Sequence, residues 1–319
     1  MECLPGPAVC KSMTLNQHTL KKSLSFAGKG LHTGTYSKMT VHPAPADAGI
    51  CFRRTDLDDT LIPALAENVT STARSTTLSA GEASVATVEH ILSALTGMGV
   101  DNALIDIDGI EVPILDGSAR YYVEAIAQAG LEDQGVPRQL LKLPETVEIK
   151  DSQTGSWIKI EPAVTPEIHI TVDFNSRVLG IQNATMTPLT DYATEIGVCR
   201  TFVFFHEIEF LFKNGLIKGG DVDNAIVIVE HPVTEAQIEE LSGLINKPAL
   251  SVTSAGYLNN LELHFPNECG RHKLLDLIGD LRLCGGWLGA RVTAFKPGHT
   301  MNTNAAKAIR ALLKQLPTQ

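Results

Sequence analysis

Apolar and polar residues alternate along much of the first sixty positions, between turn signals, as in the segment TYSKMTVHP. Alternation with a period of two predicts β-strands that bury one face. Over residues 87–98 the apolar positions change to helical spacing and fall at Val88, Ile91, Leu92 and Leu95. A strand over 102–108 and a second helix over 119–130, ended by Gly130, follow. The first part of the chain is therefore predicted to be a sheet accompanied by two helices.

The second part of the chain has the same character. Strands are predicted over 140–150, 156–162, 167–174, 225–230 and 290–295, and helices over 207–214, 235–245, 271–284 and 304–314. Residues 135–140, which include Gly135 and Pro137, predict a linker. We therefore expect an α+β protein with a first domain at 13–134, a second at 141–319, and a disordered extension at 1–12.

Two of the predicted helices carry a similar sequence. EHILSALTG (89–97) and RHKLLDLIG (271–279) each have a His, a Leu two residues later, a Leu five residues later and a Gly seven residues later. A strand is predicted after each helix. Two amphipathic helices can share this much by chance. The alternative is a chain of two related halves, with His90 and His272 at the starts of equivalent helices.

The composition limits the classes of protein to which the chain can belong. With 319 residues, 44% hydrophobic and 19% charged, the chain can form two folded domains and does not have a disordered composition. A formal net charge of −10 argues against binding nucleic acid. No apolar run reaches the roughly 18 residues that span a membrane, and residues 1–12 lack the features of a secretory signal. We expect no stable membrane insertion.

The cysteines point to a reducing compartment. The 6 cysteines are too scattered for a disulfide framework, and no two have the C-x-x-C spacing of a thiolate zinc site. We expect free structural thiols and a cytoplasmic location.

The segment HKLLD is the best candidate for chemistry. His272 and Asp276 are four residues apart, so on a helix they share a face and can reach one metal ion. Asp280 lies one turn further on, where its carboxylate can hydrogen-bond a ligand or a catalytic His. The spacing alone does not exclude an ordinary His–Asp pair on a solvated face.

A second candidate is the pair Glu89 and His90 at the start of a predicted helix. Adjacent helical residues point in different directions, so His90 can bind a metal while Glu89 acts as a base beside it. Two His and one carboxylate form a common catalytic zinc set that leaves a position for water. His299, in the segment FKPGHT after a strand, is a candidate proton donor for a leaving amine. Taken alone, the pair is better explained as an amphipathic helix start with an acidic residue placed favourably for the helix dipole.

Other segments remain ambiguous. Thr201 could stabilise an oxyanion, while Phe202 and Phe174 could stack on a sugar or base or could simply fill the core. The stretches GKGLHTG and GLIKGGD match neither a P-loop nor a dinucleotide-binding loop, because the required residues and the following helix are missing.

Taken together, the motifs closely resemble one family, the UDP-3-O-acyl-N-acetylglucosamine deacetylases (LpxC) of lipid A biosynthesis. The resemblance extends from about residue 15 to residue 311 and is carried, in the family's order, by GLHTG, TVEH, PILDGSA, RTF, GLIKGGD, HKLLDLIGD and KPGH. It implies zinc-dependent hydrolysis of the N-acetyl group of UDP-3-O-((3R)-hydroxyacyl)-N-acetylglucosamine, with release of acetate, as the committed step of the pathway.

The resemblance also implies a fold. Each of two domains would be a small sheet layered against two helices, with the helices packed between the sheets. An inserted βαβ element near 207–230 would form an apolar passage for the acyl chain.

Roles of individual residues follow from the same resemblance. His90, His272 and Asp276 match the zinc ligands, although iron(II) suits the same ligand types. Glu89 matches the general base and His299 the general acid. The remaining matches are Asp280 as the partner that orients the His, Thr201 at the oxyanion, and Lys273, Phe202, Phe174, Leu31, Ile208, Ile217 and Gly220 at the substrate.

Some features depart from the family pattern or leave alternatives open. The segment 231–268 is longer than in short members and is expected to alter entry to the site. Some members carry a fused acyl-carrier-protein dehydratase, which we do not expect in this chain, and no obligate protein partner is indicated. Two other functions stay open: an inactive sugar-nucleotide or acyl-chain binding module, and a zinc amidase for another acylated sugar. Metal analysis, acetate release and comparison of substrates with and without UDP distinguish them.

Overall fold

The computed structural model describes residues 16–208, 224–244 and 250–315. The first half contains ten strands among the described residues: β1 (Asn16–Leu20), β2 (Leu24–Lys29), β3 (Tyr36–Pro43), β4 (Ile50–Arg54), β5 (Thr60–Pro63), β6 (Val69–Ser71), β7 (Thr77–Ala80), β8 (Ala83–Val85), β9 (Ala103–Ile107) and β10 (Leu131–Pro137). Its helices are α1 (Glu89–Gly97) and α2 (Arg120–Ala129), with a 3-10 turn at Ala66–Asn68.

Five of these strands form the main sheet of the first half, in the spatial order β2-β3-β9-β4-β5. β9 pairs in parallel with β4, and the other neighbours pair antiparallel. Strand β3 shows why the alternating pattern forms a sheet with one buried face: Met39 and Val41 are buried, while Lys38 is exposed.

The second half contains the remaining described elements. Its strands are β11 (Leu140–Leu141), β12 (Val147–Lys150), β13 (Trp157–Pro162), β14 (Glu167–Asp173), β15 (Ile181–Met186), β16 (Phe202–Phe204), β17 (Ile226–Ile228), β18 (Trp287–Leu288) and β19 (Ala290–Phe295). Its helices are α3 (Tyr192–Glu195), α4 (Glu235–Leu244), α5 (Glu268–Leu281) and α6 (His299–Lys314), with a 3-10 turn at Arg282–Cys284.

The main sheet of the second half repeats the topology of the first. Its order is β12-β13-β19-β14-β15, and β19 pairs in parallel with β14 while the other neighbours are antiparallel. In each sheet the strand that comes last in the sequence, β9 or β19, is the central strand. In each half this strand follows the helix that carries the His-centred sequence. The sequence similarity between 89–97 and 271–279 therefore marks equivalent helices, α1 and α5.

Helices α1 and α5 pack against each other between the two halves. Their approach is close enough that a Cβ added at Gly279 would lie 2.0 Å from the backbone oxygen of Glu89. Glycine is therefore required at this contact. The mixed α+β architecture predicted from the sequence is confirmed.

A small parallel pair, β16 and β17, lies beside the second sheet. Parallel neighbours need a crossover connection, which agrees with the βαβ element implied by the resemblance. Residues 209–223 between them lie outside the described residues, and so does most of the helix predicted over 207–214. Ile226 and Ile228 pack in one apolar cluster and Val227 in another, the second of which includes Leu241 of α4. The segment 231–268, which is longer than in short family members, thus covers one face of the β16–β17 pair.

Several element boundaries differ from the sequence predictions. Residues 131–137, of which 135–137 were predicted to begin a linker, form β10 and pair with β1. Helix α6 begins at His299 rather than at residue 304, so this His lies in a first helical turn and not in a loop. Helix α5 begins three residues earlier than predicted, at Glu268.

Two smaller predictions concern thiols and membranes. Cys51, Cys199, Cys269 and Cys284 are free, as expected, and burial raises the pKa of each thiol. Among the described residues, no helix is both long and apolar enough to cross a membrane.

Candidate metal and acid–base site

Three side chains from α1 and α5 converge in the interior. Nε2 of His90 lies 3.6 Å from Oδ1 of Asp276, and Nε2 of His272 lies 3.4 Å from the same oxygen. The possible ligand atoms of the three residues all lie within 4.8 Å of one another. All three side chains are buried. The pair four residues apart on α5 and the His about 180 residues earlier are thus brought to one point.

The surroundings of this cluster fix which atoms are available. Nδ1 of His272 donates to the backbone oxygen of Cys199 at 3.0 Å, so the lone pair of the neutral ring is on Nε2, facing the cluster. Burial lowers the pKa of His272 to about 4, against the opposing effect of Asp276. The ring is therefore neutral at pH 7.

Asp276 gives the clearest indication that this cluster can bind a cation. Its Oδ2 accepts a hydrogen bond from Nζ of Lys273 at 2.7 Å, but its buried Oδ1 has no hydrogen-bond partner among the described residues. Burial opposes ionisation, yet Lys273 and His272 outweigh it and hold the pKa of Asp276 well below its usual range. An ionised oxygen facing two imidazole nitrogens without a donor is unfavourable unless a positive charge sits among them. The donor set, two imidazoles and one carboxylate, fits a catalytic divalent metal ion.

Glu89 lies beside this cluster, on the same helix as His90 but directed elsewhere. Its Oε2 accepts a hydrogen bond from the backbone N–H of Thr76 at 3.0 Å. Its Oε1 lies 3.9 Å from Nε2 of His299. Burial raises the pKa of Glu89, although His299 and His90 oppose the shift. A carboxylate with a raised pKa beside a candidate metal site is suited to accept a proton.

His299 is the counterpart of Glu89 on α6. Its Nδ1 donates to Oδ2 of Asp280 at 3.0 Å, which leaves Nε2 directed towards Glu89 and, at 3.9 Å, Asp276. Burial disfavours the imidazolium, but the carboxylates of Asp280 and Glu89 outweigh burial and raise the pKa of His299 to about 9. Asn302 also donates to Oδ2 of Asp280, at 2.9 Å. The His is therefore protonated at neutral pH and held in one orientation.

A group of aromatic rings borders the site. The ring of Phe202 lies 6.4 Å from that of His272 and 5.4 Å from that of Phe174, and Phe204 completes the group. Nζ of Lys273 lies 5.7 Å from the centre of the Phe202 ring. Phe174 is 39% exposed, so a ligand can reach it from solvent. These are the residues for which sequence reasoning left a core role open.

Thr201 precedes β16, and backbone hydrogen bonds hold it in place. Its N–H donates to the oxygen of Gly117 at 2.8 Å, and its oxygen accepts from Ile226 at 2.9 Å. The neighbouring Arg200 forms a buried ion pair with Glu268, the first residue of α5, at 2.8 Å. The hydrogen bonds of Thr201 and the ion pair of Arg200 together fix the start of β16 relative to the helix that carries His272 and Asp276.

The residues matched to the acyl-chain passage are less fully described. Leu31 is partly buried, and Ile208 is buried in the same cluster as Leu241. Ile217 and Gly220 lie outside the described residues.

Sequence reasoning missed a buried carboxylate near the start of α1. Glu111 accepts hydrogen bonds from the N–H groups of His32 and Thr33 and from the hydroxyls of Thr33 and Thr87. Thr87 has φ of 60°, which is strained for a β-branched residue. A single acidic residue within the apolar run GIEVPIL was the signal that could have drawn attention to Glu111.

Known proteins of one family match this chain over nearly its whole length. The chain matches the family described as UDP-3-O-acyl N-acetylglycosamine deacetylase, LpxC, over residues 17–241 and 239–311. It is 42% identical over 309 residues to the bifunctional enzyme LpxC/FabZ of Bacteroides thetaiotaomicron. These matched residues make up 95% of this chain and 67% of that protein. The corresponding enzyme of Porphyromonas gingivalis is 41% identical over 304 residues, or 95% of this chain and 66% of the relative.

A shorter relative is matched almost from end to end. The UDP-3-O-acyl-N-acetylglucosamine deacetylase of Nostoc sp. is 39% identical over 303 residues, which is 93% of this chain and 99% of that protein. By contrast, the chain spans about two thirds of the length of the bifunctional relatives.

Proposed function

This chain belongs to the UDP-3-O-acyl N-acetylglycosamine deacetylase family, LpxC, and from that premise we propose that it hydrolyses the N-acetyl group of UDP-3-O-acyl-N-acetylglucosamine in lipid A biosynthesis. In this reaction water adds to the amide carbonyl, the C–N bond breaks, and acetate and a free amine are released. The observation that carries the proposal is the buried Oδ1 of Asp276, which lies between two imidazoles and has no hydrogen-bond partner in the described part of the chain, with Glu89 and His299 on either side.

We assign His90, His272 and Asp276 as the ligands of a zinc ion. Bound there, zinc would act as a Lewis acid and lower the pKa of a water molecule towards about 7. Lys273 holds the second oxygen of Asp276 and Cys199 orients His272, so both ligands are fixed in advance. Iron(II) accepts the same donors, and metal analysis of the purified protein distinguishes the two.

Glu89 is proposed as the general base. The N–H of Thr76 engages one oxygen, so the other is free to take a proton from the attacking water. Since burial raises the pKa of Glu89, its affinity for that proton is higher than that of an exposed carboxylate. Oε1 faces Nε2 of His299 at 3.9 Å, which is beyond hydrogen-bond distance, so this oxygen can accept the proton.

His299 is proposed as the general acid. Asp280 accepts the Nδ1 proton, and the Nε2 proton can be given to the leaving amine. A pKa of about 9 means that the imidazolium form is present at neutral pH without a separate protonation step.

The remaining matched residues are proposed to bind substrate. Thr201 would donate its hydroxyl to the oxyanion, Lys273 would contact the polar part of the sugar-nucleotide, and Phe174 and Phe202 would form an aromatic platform for it. Leu31, Ile208, Ile217 and Gly220 are assigned to the acyl chain. We also propose a first domain over 13–134 and a second over 141–319, each built on one of the two equivalent sheets. Of the predicted linker 135–140, residues 135–137 belong to β10, which pairs with β1 of the first half.

The function is tested with the variant Glu89→Gln, with Glu82→Gln as an exposed control on the same half of the chain. Both variants should retain one metal ion per chain, because no ligand is changed. Glu89→Gln should lose about 10²- to 10⁴-fold in acetate release from UDP-3-O-acyl-N-acetylglucosamine, the usual contribution of a general base. Full turnover in Glu89→Gln would remove Glu89 from its role, and a wild-type protein that releases no acetate from this substrate would refute the proposed function.

A further inference from the structure

Thr76 lies outside every motif that the sequence singled out, yet it contacts both proposed proton-transfer groups. It directly precedes β7 and is completely buried, at 0% exposure. Its backbone N–H donates to Oε2 of Glu89 at 3.0 Å, and its hydroxyl donates to Oδ1 of Asp280 at 2.6 Å. The same hydroxyl oxygen lies 3.4 Å from Nδ1 of His299.

These contacts join three separate elements. Glu89 begins α1, Asp280 lies on α5, and His299 begins α6. The backbone oxygen of Thr76 also accepts from the N–H of Val88 at 3.3 Å, just before α1. One residue therefore connects the start of α1 with the two elements that carry the acid and its orienting carboxylate.

We propose that Thr76 is a positioning residue that fixes His299 relative to Glu89, by holding Asp280 with its side chain and Glu89 with its backbone. The inference rests on the proposed function, because it concerns the acid–base pair of that reaction. Glu89 acts on the water that attacks the amide carbon, and His299 acts on the nitrogen that leaves it, so both groups must be in place together. A displacement of about 1 Å can cost on the order of 10²-fold in rate.

The hydroxyl has a specific part in this arrangement. Oδ2 of Asp280 already accepts from His299 and Asn302, whereas the described hydrogen bond to Oδ1 comes from Thr76. Without the hydroxyl, a buried carboxylate oxygen loses its donor, and the carboxylate is free to turn towards other donors. The hydrogen bond from His299 then loses its alignment, while the backbone contact to Glu89 remains.

A matched pair of variants separates positioning from packing. Thr76→Val keeps the shape and the backbone N–H but removes the hydroxyl, and Thr76→Ser keeps the hydroxyl but removes the methyl group. Thr19→Val is the control, because the Thr19 hydroxyl is also buried and makes two hydrogen bonds in the first half: it donates to the backbone oxygen of Asn102 and accepts from the N–H of Ala44. Metal content and thermal unfolding are measured for all three.

The expected result is a split between kcat and KM. Thr76→Val should lower kcat by roughly 10- to 100-fold with KM within about twofold of wild type and metal content unchanged. Thr76→Ser should stay within about threefold of wild type in kcat, and Thr19→Val should unfold at lower temperature with normal kcat. An unchanged kcat in Thr76→Val, or an equal loss in Thr76→Ser, would overturn the proposal.

A readout independent of turnover covers the case in which the substrate assignment fails. The Nδ1–H signal of His299 in ¹⁵N-edited NMR, assigned by its loss in His299→Gln, should be protected from solvent exchange in wild type and Thr76→Ser. It should shift and exchange faster in Thr76→Val. If wild type releases no acetate, the proposed function falls and this signal alone decides the role of Thr76: an identical signal in wild type and Thr76→Val refutes it.

Discussion

The buried ion pair between Arg200 and Glu268 offers a quantitative test of how the start of β16 is anchored to α5. The carboxylate of Glu268 has 0% side-chain exposure and accepts from Arg200 through N, Nε and Nη2 at 3.1, 2.8 and 3.0 Å, and from the N–H of His264 at 2.7 Å. Glu268→Gln keeps the shape but removes the charge and one acceptor. Because it leaves the buried guanidinium without its counter-charge, we expect a loss of about 3 kcal/mol in the free energy of unfolding at pH 7.

The same pair should make that loss depend on pH. Burial opposes ionisation, but Arg200 and the two N–H donors outweigh it and lower the pKa of Glu268 below its ordinary value. Below the unfolded-state pKa of about 4.3 the unfolded chain binds a proton at this site and the folded chain does not, so stability falls as pH falls. The contribution is fully present above that pH and decreases by about 1.4 kcal/mol per pH unit until the folded pKa is reached. Glu268→Gln lacks this contribution.

The assay is urea unfolding at several pH values between 7 and 3.5, with a chelator throughout so that metal release does not contribute. Glu145→Gln, an exposed glutamate of the same half, is the control and should follow wild type. The free-energy difference between wild type and Glu268→Gln should be largest at pH 7 and shrink below pH 4.3. A difference that stays constant over the whole range would refute the reasoning, because it would mean that the charge of Glu268 is not what stabilises the pair.

Two further variants test other close contacts. Gly279→Ala should lower the free energy of unfolding by about 1–3 kcal/mol and reduce turnover, because the new methyl group would press on the backbone of Glu89 at 2.0 Å. Gly243→Ala, in open space on α4, should instead stabilise by up to about 1 kcal/mol, and equal behaviour of the two in thermal unfolding would contradict the contact. Glu111→Gln should cost about 1–3 kcal/mol in urea unfolding and lower kcat/KM, since four donors, including the hydroxyl of Thr87, lose a charged acceptor. Unchanged values of both quantities would show that this carboxylate does not hold the start of α1.

Periodicity located most of the regular elements because each buries one face. The helical spacing of Val88, Ile91 and Leu95 and the alternation in β3 both lead to burial of the apolar set. Boundaries were less predictable, since they depend on contacts between distant segments. Helix α1 begins only at Glu89, after Thr87 has adopted a positive φ that its hydrogen bond to Glu111 supports, and no local signal in the sequence specifies that conformation.

The candidate site divides in the same way. Spacing on one helix tied His272 to Asp276, and the likeness between two helices gave a reason to bring His90 to them. Glu89 and His299 were candidates from the residues alone, and the family resemblance gave them specific roles as base and acid. Thr76 could not be found by any of these routes, because its contribution consists of a backbone N–H and a hydroxyl placed by tertiary packing.

The repeated topology has a thermodynamic consequence. His90 belongs to one copy of the five-stranded arrangement and His272 and Asp276 to the other, so an ion held by all three would act as a cross-link between the copies. Such an ion binds only the docked arrangement, and at a free concentration one hundred times its Kd it would add about 2.7 kcal/mol to the stability of the chain. Removal of such an ion would therefore weaken the association of the two halves as well as stop the proposed reaction. The melting temperature of the chain would then depend on the concentration of free metal ion.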